Sequence, residues 1–478
     1  MSKPIVCMII EGSYPYIVGG VASWCQSLIS NLNDIQFRVV AILPEQYKNK
    51  KIQYELPENV ISFHKIWLNR FGDEYKKTNI ILKKNDSAII KNFWKTLDLL
   101  CEQLVFNNYR FFQHVFHYLY PVNKSILNFH ELFTSRSFFM LLKKFYKQYF
   151  SKITFMDFFW LIQNILQPIY KIGTYSIPEA DCYHIISTGY AGYYGVLCKL
   201  RRSRPLILTE HGIYVNERRD EIEASKQIKD ELKPVWKGFF QHLCSLTYPF
   251  CDRVITLYKK NAITEIEENC LPERIEIIPN GINLNLFTNI ELLKRETINV
   301  GIVARVVPIK DILTFIRAAH FVSEELSHVH FFIIGPTDED EEYYEKCVNL
   351  VDELKIQNVL EFTGKVSMKE YYAKIDIMVL TSFREAQPLT LMEAMAVGIP
   401  CVSSDVGSCS ELLEGVGFIT PRESPRKTAN ALIKLIKSDK LRDYLGLKSK
   451  VKALIEYDWQ AIVNEYRRIY LKQITLSA

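Results

Sequence analysis

Two series of short apolar runs, each run separated from the next by a helix-length segment, constrain this chain more than any other feature. The first series reads IVCMII (5–10), FRVVAIL (37–43) and VISFHKIW (60–67), with a helix from Val21 between the first two. It resumes with YHIIS (183–187), a helix near 190–200, LILTEHG (206–212), RVITLY (253–258) and IEIIPNGI (275–282). A second series starts from about residue 293 with INVGIVARV and continues through VHFFIIG, VLEFTGKV, IDIMVLTS and PCVSSD. Strands written as continuous apolar runs are covered on both faces, and strand–helix alternation encodes parallel sheets with crossover helices. Two doubly wound α/β domains are therefore expected. At 478 residues with 48% apolar content, the chain can bury both cores. WQAIVNEYRRIYL, from Trp459 to Leu471, reads as a last amphipathic helix.

Residues 65–171 break the rhythm. They hold 16 Lys and Arg against 7 Asp and Glu, about +9 in a chain whose total is +5, and they are dense in aromatic residues. Helices are expected around 88–120, 137–150 and 155–171. The stretch FMDFFWLIQNILQPIY is interrupted by Asp157, Gln163 and Asn164, which is too polar and too short to cross a bilayer but suits lying on one. Two readings stay open: a helical insert packed on the first domain, or a basic, aromatic surface that meets an anionic membrane or a membrane-bound partner.

A net charge of +5 over this length does not imply a nucleic-acid partner. The eleven cysteines form no C-x-x-C pair, and their odd number and scatter fit reduced thiols of a cytosolic protein better than disulfides or a zinc site. IVCMII ends at Glu11 after six apolar residues, too few for a secretory signal, so a cytoplasmic location is expected.

Residues 381–400, TSFREAQPLTLMEAMAVGIP, place Glu385 and Glu393 eight positions apart where an apolar strand hands over to a helix. Pro388 fits the first turn of that helix, which should run to about Val397. The unpaired N–H groups near Leu389 and Thr390 make a seat for phosphate, and Glu393 can accept from ribose hydroxyls. Taken alone, such a Glu pair is more often a solvated surface feature, and it is the surroundings that favour a site. Arg305 and Lys310 follow INVGIVA, at the carboxyl edge where open α/β sheets gather ligands, and two cations there can neutralise a departing diphosphate. Gly19 and Gly20 precede the helix from Val21 and let backbone N–H groups approach a ligand. His211 ends LILTEHG and is expected to face a ligand rather than the core. Glu210, Glu217, Arg218 and Arg219 are candidates for the acceptor, though an exposed helix face explains the last three equally well. Asp338-Glu339-Asp340 has the look of a metal-binding D-x-D, but it opens a helix, where acidic residues favour the dipole, and no metal is assigned.

Assembled, these pieces resemble the GT-B retaining glycosyltransferases of family 4: two Rossmann-like domains, a glycine turn after the first strand, Arg305 and Lys310, and Glu-x7-Glu running into EAMAVGIP. The blocks EGSYPYIVGGVASW, TEHGIYVNERRDEI, RVVPIKDILTFIRA and EAQPLTLMEAMAVGIPCVSSDVGSCSELL are similar, more narrowly, to the members that act in Pel exopolysaccharide synthesis.

The resemblance implies two domains facing across a cleft: residues 1–292, with a helical insertion at about 65–175, and residues 293–456. It further implies that 457–478 cross back to the first domain. It implies a UDP-sugar donor, a glycan acceptor, retention of configuration and no cofactor. Glu393 would bind ribose, Glu385 the donor sugar, and Arg305 with Lys310 the diphosphate. Gly20 and the amides near Leu389 and Thr390 would contact phosphate, backbone near Lys365 and Val366 would receive uracil, and His211 would lie by the sugar. Ala304 and Asp311 stand where many members have glycine. Two alternatives remain: a family 4 enzyme making another glycan or a small glycoside, and a non-catalytic UDP-sugar-binding subunit of a membrane synthase.

Overall fold

The structure is a computed structural model, and it describes residues 3–12, 14–44, 50–68, 135–293 and 296–477. It divides into two compact units, residues 1–277 with 466–478, and residues 278–465.

The first unit is built on seven parallel strands: β1 (Ile5–Glu11), β2 (Gln36–Leu43), β3 (Val60–Trp67), β4 (Cys182–Ile185), β5 (Leu206–Glu210), β6 (Arg253–Thr256) and β7 (Ile275–Ile277). Their order is β3-β2-β1-β4-β5-β6-β7, so the chain winds outward one way from β1 and then, from β4, the other way. The point of reversal is the gap between the carboxyl ends of β1 and β4, where Ile9 pairs with Ile185. Ligands of open parallel sheets bind at such a point. The central strands β1, β4 and β5 are buried almost throughout, which is why they read as unbroken apolar runs.

Two helices of the unusual basic region fall within the described residues. Arg136–Tyr149 is capped by Ser135, whose hydroxyl accepts from the Phe138 N–H at 3.2 Å, and it buries Phe138, Leu142 and Phe145 at helical spacing. Phe155–Thr174 starts at Thr154, which accepts from the Asp157 N–H at 3.1 Å and donates to the Asp157 carboxylate at 2.7 Å. Its buried face, from Phe158 through Ile172, belongs to the first unit's core. The helix expected around 88–120 lies outside the described residues. Among the described residues, no helix is long and apolar enough to cross a membrane.

The second unit repeats the plan with six parallel strands: β8 (Ile298–Val303), β9 (Val329–Ile334), β10 (Leu360–Gly364), β11 (Ile377–Leu380), β12 (Cys401–Ser404) and β13 (Gly417–Thr420). The order β10-β9-β8-β11-β12-β13 puts its reversal between β8 and β11. Apolar clusters cover both faces, one around Phe315, Phe331 and Leu432, the other around Met378, Leu391 and Met395. The last helix, Trp459–Ser477, begins in the second unit, and from Tyr466 onward it belongs to the first. There Tyr470 meets His184 at 2.6 Å and Tyr466 meets Thr209 at 3.2 Å.

Candidate functional site

The reversal point of the second sheet brings the loops after β8 and β11 together. The Thr381 hydroxyl, just past β11, donates to the carbonyls of Lys310 and Asp311 at 3.1 and 2.9 Å, and the Phe383 N–H donates to the Ile309 carbonyl at 2.9 Å. This lacing sets Lys310 Nζ 2.5 Å from Glu385 Oε1, with both side chains largely enclosed. Ser382 adds a hydroxyl to the same carboxylate oxygen at 2.7 Å.

Asp311 occupies the position where a glycine was expected from the resemblance, and the structure shows what glycine would have been needed for. Its backbone is left-handed, φ 47° and ψ 53°, and its side chain then caps the helix Ile312–Glu325 by accepting from the Thr314 N–H at 3.3 Å. Aspartate is among the few residues that tolerate this conformation. On the other side of Glu385, Gly407 lies so close that a Cβ there would sit 2.0 Å from the Glu385 carbonyl oxygen, and its φ of +52° is left-handed as well. The next residue, Ser408, donates its N–H to the Ala386 carbonyl at 2.9 Å. The loop that carries Glu385 is thus held from both sides.

Pro388 is the residue before the helix rather than within its first turn: the helix is Leu389–Val397, closed by left-handed Gly398. No side chain caps its start, so the first N–H groups, at Leu389 and Thr390, are left for another acceptor. Glu393 lies one turn in. The buried Tyr372 hydroxyl donates to it at 2.7 Å, and burial raises the Glu393 pKa against that hydrogen bond.

Arg305 does not join Lys310 and Glu385. It pairs with Glu339 at 2.5 Å, an exposed residue just before the helix Glu341–Glu353. Asp340 caps that helix through the Tyr343 N–H at 3.0 Å, so part of the acidic triplet serves the helix terminus. Lys365 is exposed and Val366 half-buried, just after β10.

In the first unit Gly19 and Gly20 open the helix Gly20–Asn31, and a Cβ on either would meet nothing within 4 Å, so no internal contact demands glycine there. His211, expected to face a ligand, is 9% exposed and packs edge-on against Trp24 with ring centroids 4.7 Å apart. Glu210 is fully enclosed instead of facing an acceptor. Its carboxylate accepts from Thr188 at 3.0 Å, from the Tyr214 N–H at 3.1 Å and from Tyr248 at 2.5 Å, and burial raises its pKa. Glu217 and Arg219 are exposed on Tyr214–Ala224, while Arg218 pairs with Glu221 and Glu11 and lies over the rings of Tyr214 and Phe240.

Sequence reasoning missed Tyr372, Ser382, Thr381, Gly407 and Glu11. Each acts on a residue distant in the chain or on a loop neighbour, and only Gly407, in the pattern DVGS, carried a local signal.

Two parallel-sheet α/β units of seven and six strands have the fold of solved GT-B glycosyltransferases. Residues 287–452 match the family described as Glycosyl transferases group 1. The chain belongs to the family described as Domain of unknown function (DUF3492), which matches residues 4–273. A curated relative, the N-acetyl-alpha-D-glucosaminyl L-malate synthase of Bacillus anthracis, is 30% identical over 126 residues, 26% of this chain and 33% of that one. The UDP-Gal:alpha-D-GlcNAc-diphosphoundecaprenol alpha-1,3-galactosyltransferase of Escherichia coli is 24% identical over 63% of this chain and 79% of its own. The solved sucrose-phosphate synthase of Thermosynechococcus elongatus has the same fold, with a TM-score of 0.60 at 16% identity over 99% of this chain and 100% of that one. Anabaena HepE, solved with UDP, scores 0.58 at 15% identity over 98% and 99%.

Proposed function

We propose that this chain is a retaining glycosyltransferase that moves a hexose or N-acetylhexosamine from a UDP-sugar to a growing exopolysaccharide, without a metal ion, in the manner of PelF of Pel synthesis. The observation that carries the reading is the Lys310–Glu385 pair beside an uncapped helix start, with Glu393 one turn away. In this reading the donor's diphosphate meets the N–H groups at Leu389 and Thr390 and the Lys310 ammonium. Lys310 turns from Glu385 to the phosphate oxygens as negative charge grows on the leaving UDP, which frees the Glu385 carboxylate for the sugar's hydroxyls. Arg305, exposed and paired with Glu339, swings to the same diphosphate. Glu393 accepts from the ribose hydroxyls. The acceptor hydroxyl attacks from the side the UDP leaves, with a diphosphate oxygen as base, which retains the anomeric configuration. The E. coli relative named above also uses a UDP-sugar.

The described part of the basic region supports a peripheral place on the inner face of the membrane. Phe139, Met140, Met156 and Trp160 are exposed on two neighbouring helices, among the exposed cations Arg136, Lys143, Lys144, Lys147 and Lys152. Apolar side chains ringed by lysines suit an anionic lipid surface. Co-flotation with anionic vesicles checks this, and no binding, or binding unchanged when Lys143, Lys144, Lys147 and Lys152 are neutralised, would count against it.

A donor panel with UDP detection, run with and without a chelator, tests the main reading. Sugar-dependent UDP release that survives chelation, with an α-linked product from an α-linked donor, is expected. Tight UDP-sugar binding without turnover would instead identify a non-catalytic subunit, and strict dependence on a divalent ion would overturn the metal-free step.

A further inference from the structure

Between Glu385 and the start of the helix Leu389–Val397 lies a buried side chain that the proposed reaction does not use. The Oε1 of Gln387 accepts from the backbone N–H of Asn280 at 2.6 Å, a partner 107 positions earlier in the chain. A proline disfavours a helical backbone for the residue before it, and Pro388 is itself extended, with φ −75° and ψ 112°. Gln387 therefore fastens the loop just before the free N–H groups at Leu389 and Thr390.

The anchor is fixed in its turn. Ile282, two residues past Asn280, donates its N–H to the Tyr457 carbonyl at 2.9 Å and accepts from the Trp459 N–H at 3.0 Å, which bridges two separate segments of chain. Gly281 packs so closely there that a Cβ would fall 2.8 Å from the Trp459 Cα. All of these residues belong to the second unit, as do Lys310, Glu385 and Glu393. Along the loop, Glu385 is held through Lys310 and Ser382, and Ala386 through the Ser408 N–H. Gln387 supplies the next hold, at the end where the loop joins the helix.

We infer that Gln387 is a positioning residue: its hydrogen bond to Asn280 sets the spacing between the Glu385 carboxylate, which takes the sugar, and the helix start, which takes the diphosphate. The inference rests on the proposed function, because both of those roles come from it. Two groups that grip different parts of one donor must keep a fixed separation, and Gln387 stands between them in the chain. Without its acceptor the loop can shift against the helix start, and displacements of about 1 Å near a reacting centre cost on the order of 100-fold in rate.

The test uses the full chain with Gln387→Met, which keeps the length of the side chain and removes the acceptor. Gln387→Asn, which stays polar but falls short of Asn280, keeps the test open if the first variant fails to fold. Turnover is expressed per molecule that binds UDP, counted by calorimetric stoichiometry, so that misfolded protein does not enter. Each variant is expected to lose about 10- to 100-fold in kcat while its affinity for free UDP stays within about 3-fold of the parent. Hydrogen exchange at the Asn280 amide should quicken in both. Turnover within about 3-fold of the parent, or an Asn280 amide as protected as before, would overturn the inference and leave the enzyme assignment intact. So would a UDP affinity that falls as far as kcat, because Gln387 would then support the helix start itself and not its spacing from Glu385. A parent chain that binds donor and never turns it over would bring down the reaction, and this role with it.

Discussion

Lys310→Ala separates catalysis from folding, because the structure gives Lys310 a partner whose fate can be followed. Its ammonium and the Glu385 carboxylate are 2.5 Å apart with 22% and 14% of the side chains exposed. At an effective dielectric of about 20 the bare attraction at that distance is about 7 kcal/mol, most of which is offset by taking both ions out of water. Removing the lysine leaves Glu385, among the described residues, with the Ser382 hydroxyl. Because the site stays partly open to water, a stability loss of about 1–3 kcal/mol is expected, read as a shift in denaturant midpoint at constant slope. The barrier should suffer more. A cation that reaches the leaving group is worth up to about 2.7–4 kcal/mol, or up to about 100- to 1,000-fold in kcat, less what it costs to leave Glu385. The assay is UDP release at saturating donor, at a temperature where the melt shows the variant folded. Lys310→Arg keeps the charge but not the fit to a single carboxylate oxygen, and it should recover part of the rate. If Lys310→Ala turns over within about 3-fold of the parent while its stability falls as expected, the ammonium holds the loop and does not serve the leaving group, and the argument fails.

Three further outcomes follow from particular contacts. Tyr372→Phe removes the hydroxyl that opposes the burial-driven rise of the Glu393 pKa; donor affinity, which needs the carboxylate, should then weaken by about 10-fold and fall off at a higher pH than in the parent, as a pH series of donor KM will show. Gly407→Ala drives a methyl into the Glu385 carbonyl and asks alanine for a left-handed backbone; it should cost at least about 2 kcal/mol in a thermal melt and impair turnover, whereas Gly20→Ala, where a Cβ has open space, should leave the melt unchanged. Burial raises both Glu210 and Glu265, and Glu210 adds to the rise at Glu265. Groups raised in the folded state support it fully below their unfolded pKa and lose that support as pH climbs through the folded values, so the parent should be less stable at about pH 8.5 than at about pH 5.5 on this account, and Glu265→Gln should flatten the difference.

Much of the architecture was legible in the chain. Parallel strands buried on both faces must be written as unbroken apolar runs, and β5, β8 and β11 all fall inside the runs read as strands, while β1 extends one residue beyond its run, to Glu11. The helix Leu389–Val397 ends where expected because Gly398 follows it, but it starts one residue late, since Pro388 keeps an extended backbone. The site was legible as residue types and less so as partners. Lys310 and Glu385 were both visible, yet nothing in the sequence paired them in preference to Arg305, which turns to Glu339 instead. The expectation for Glu210 failed because a carboxylate at a strand end reads the same whether it faces solvent or three buried donors.

By itself, then, the sequence determined most of the local structure: the strand segments other than β13, several of the helices, and that there are two doubly wound sheets. Those follow from unbroken apolar runs in the buried strands and from a 3.6-residue repeat in the helices, neither of which needs a distant neighbour. The tertiary structure alone decided the strand order, and with it the two reversal points where loops 75 residues apart, such as those of Lys310 and Glu385, come to share a hydrogen bond. Partner choice depends on which strand ends lie side by side, and that is a property of the folded sheet that no local pattern encodes.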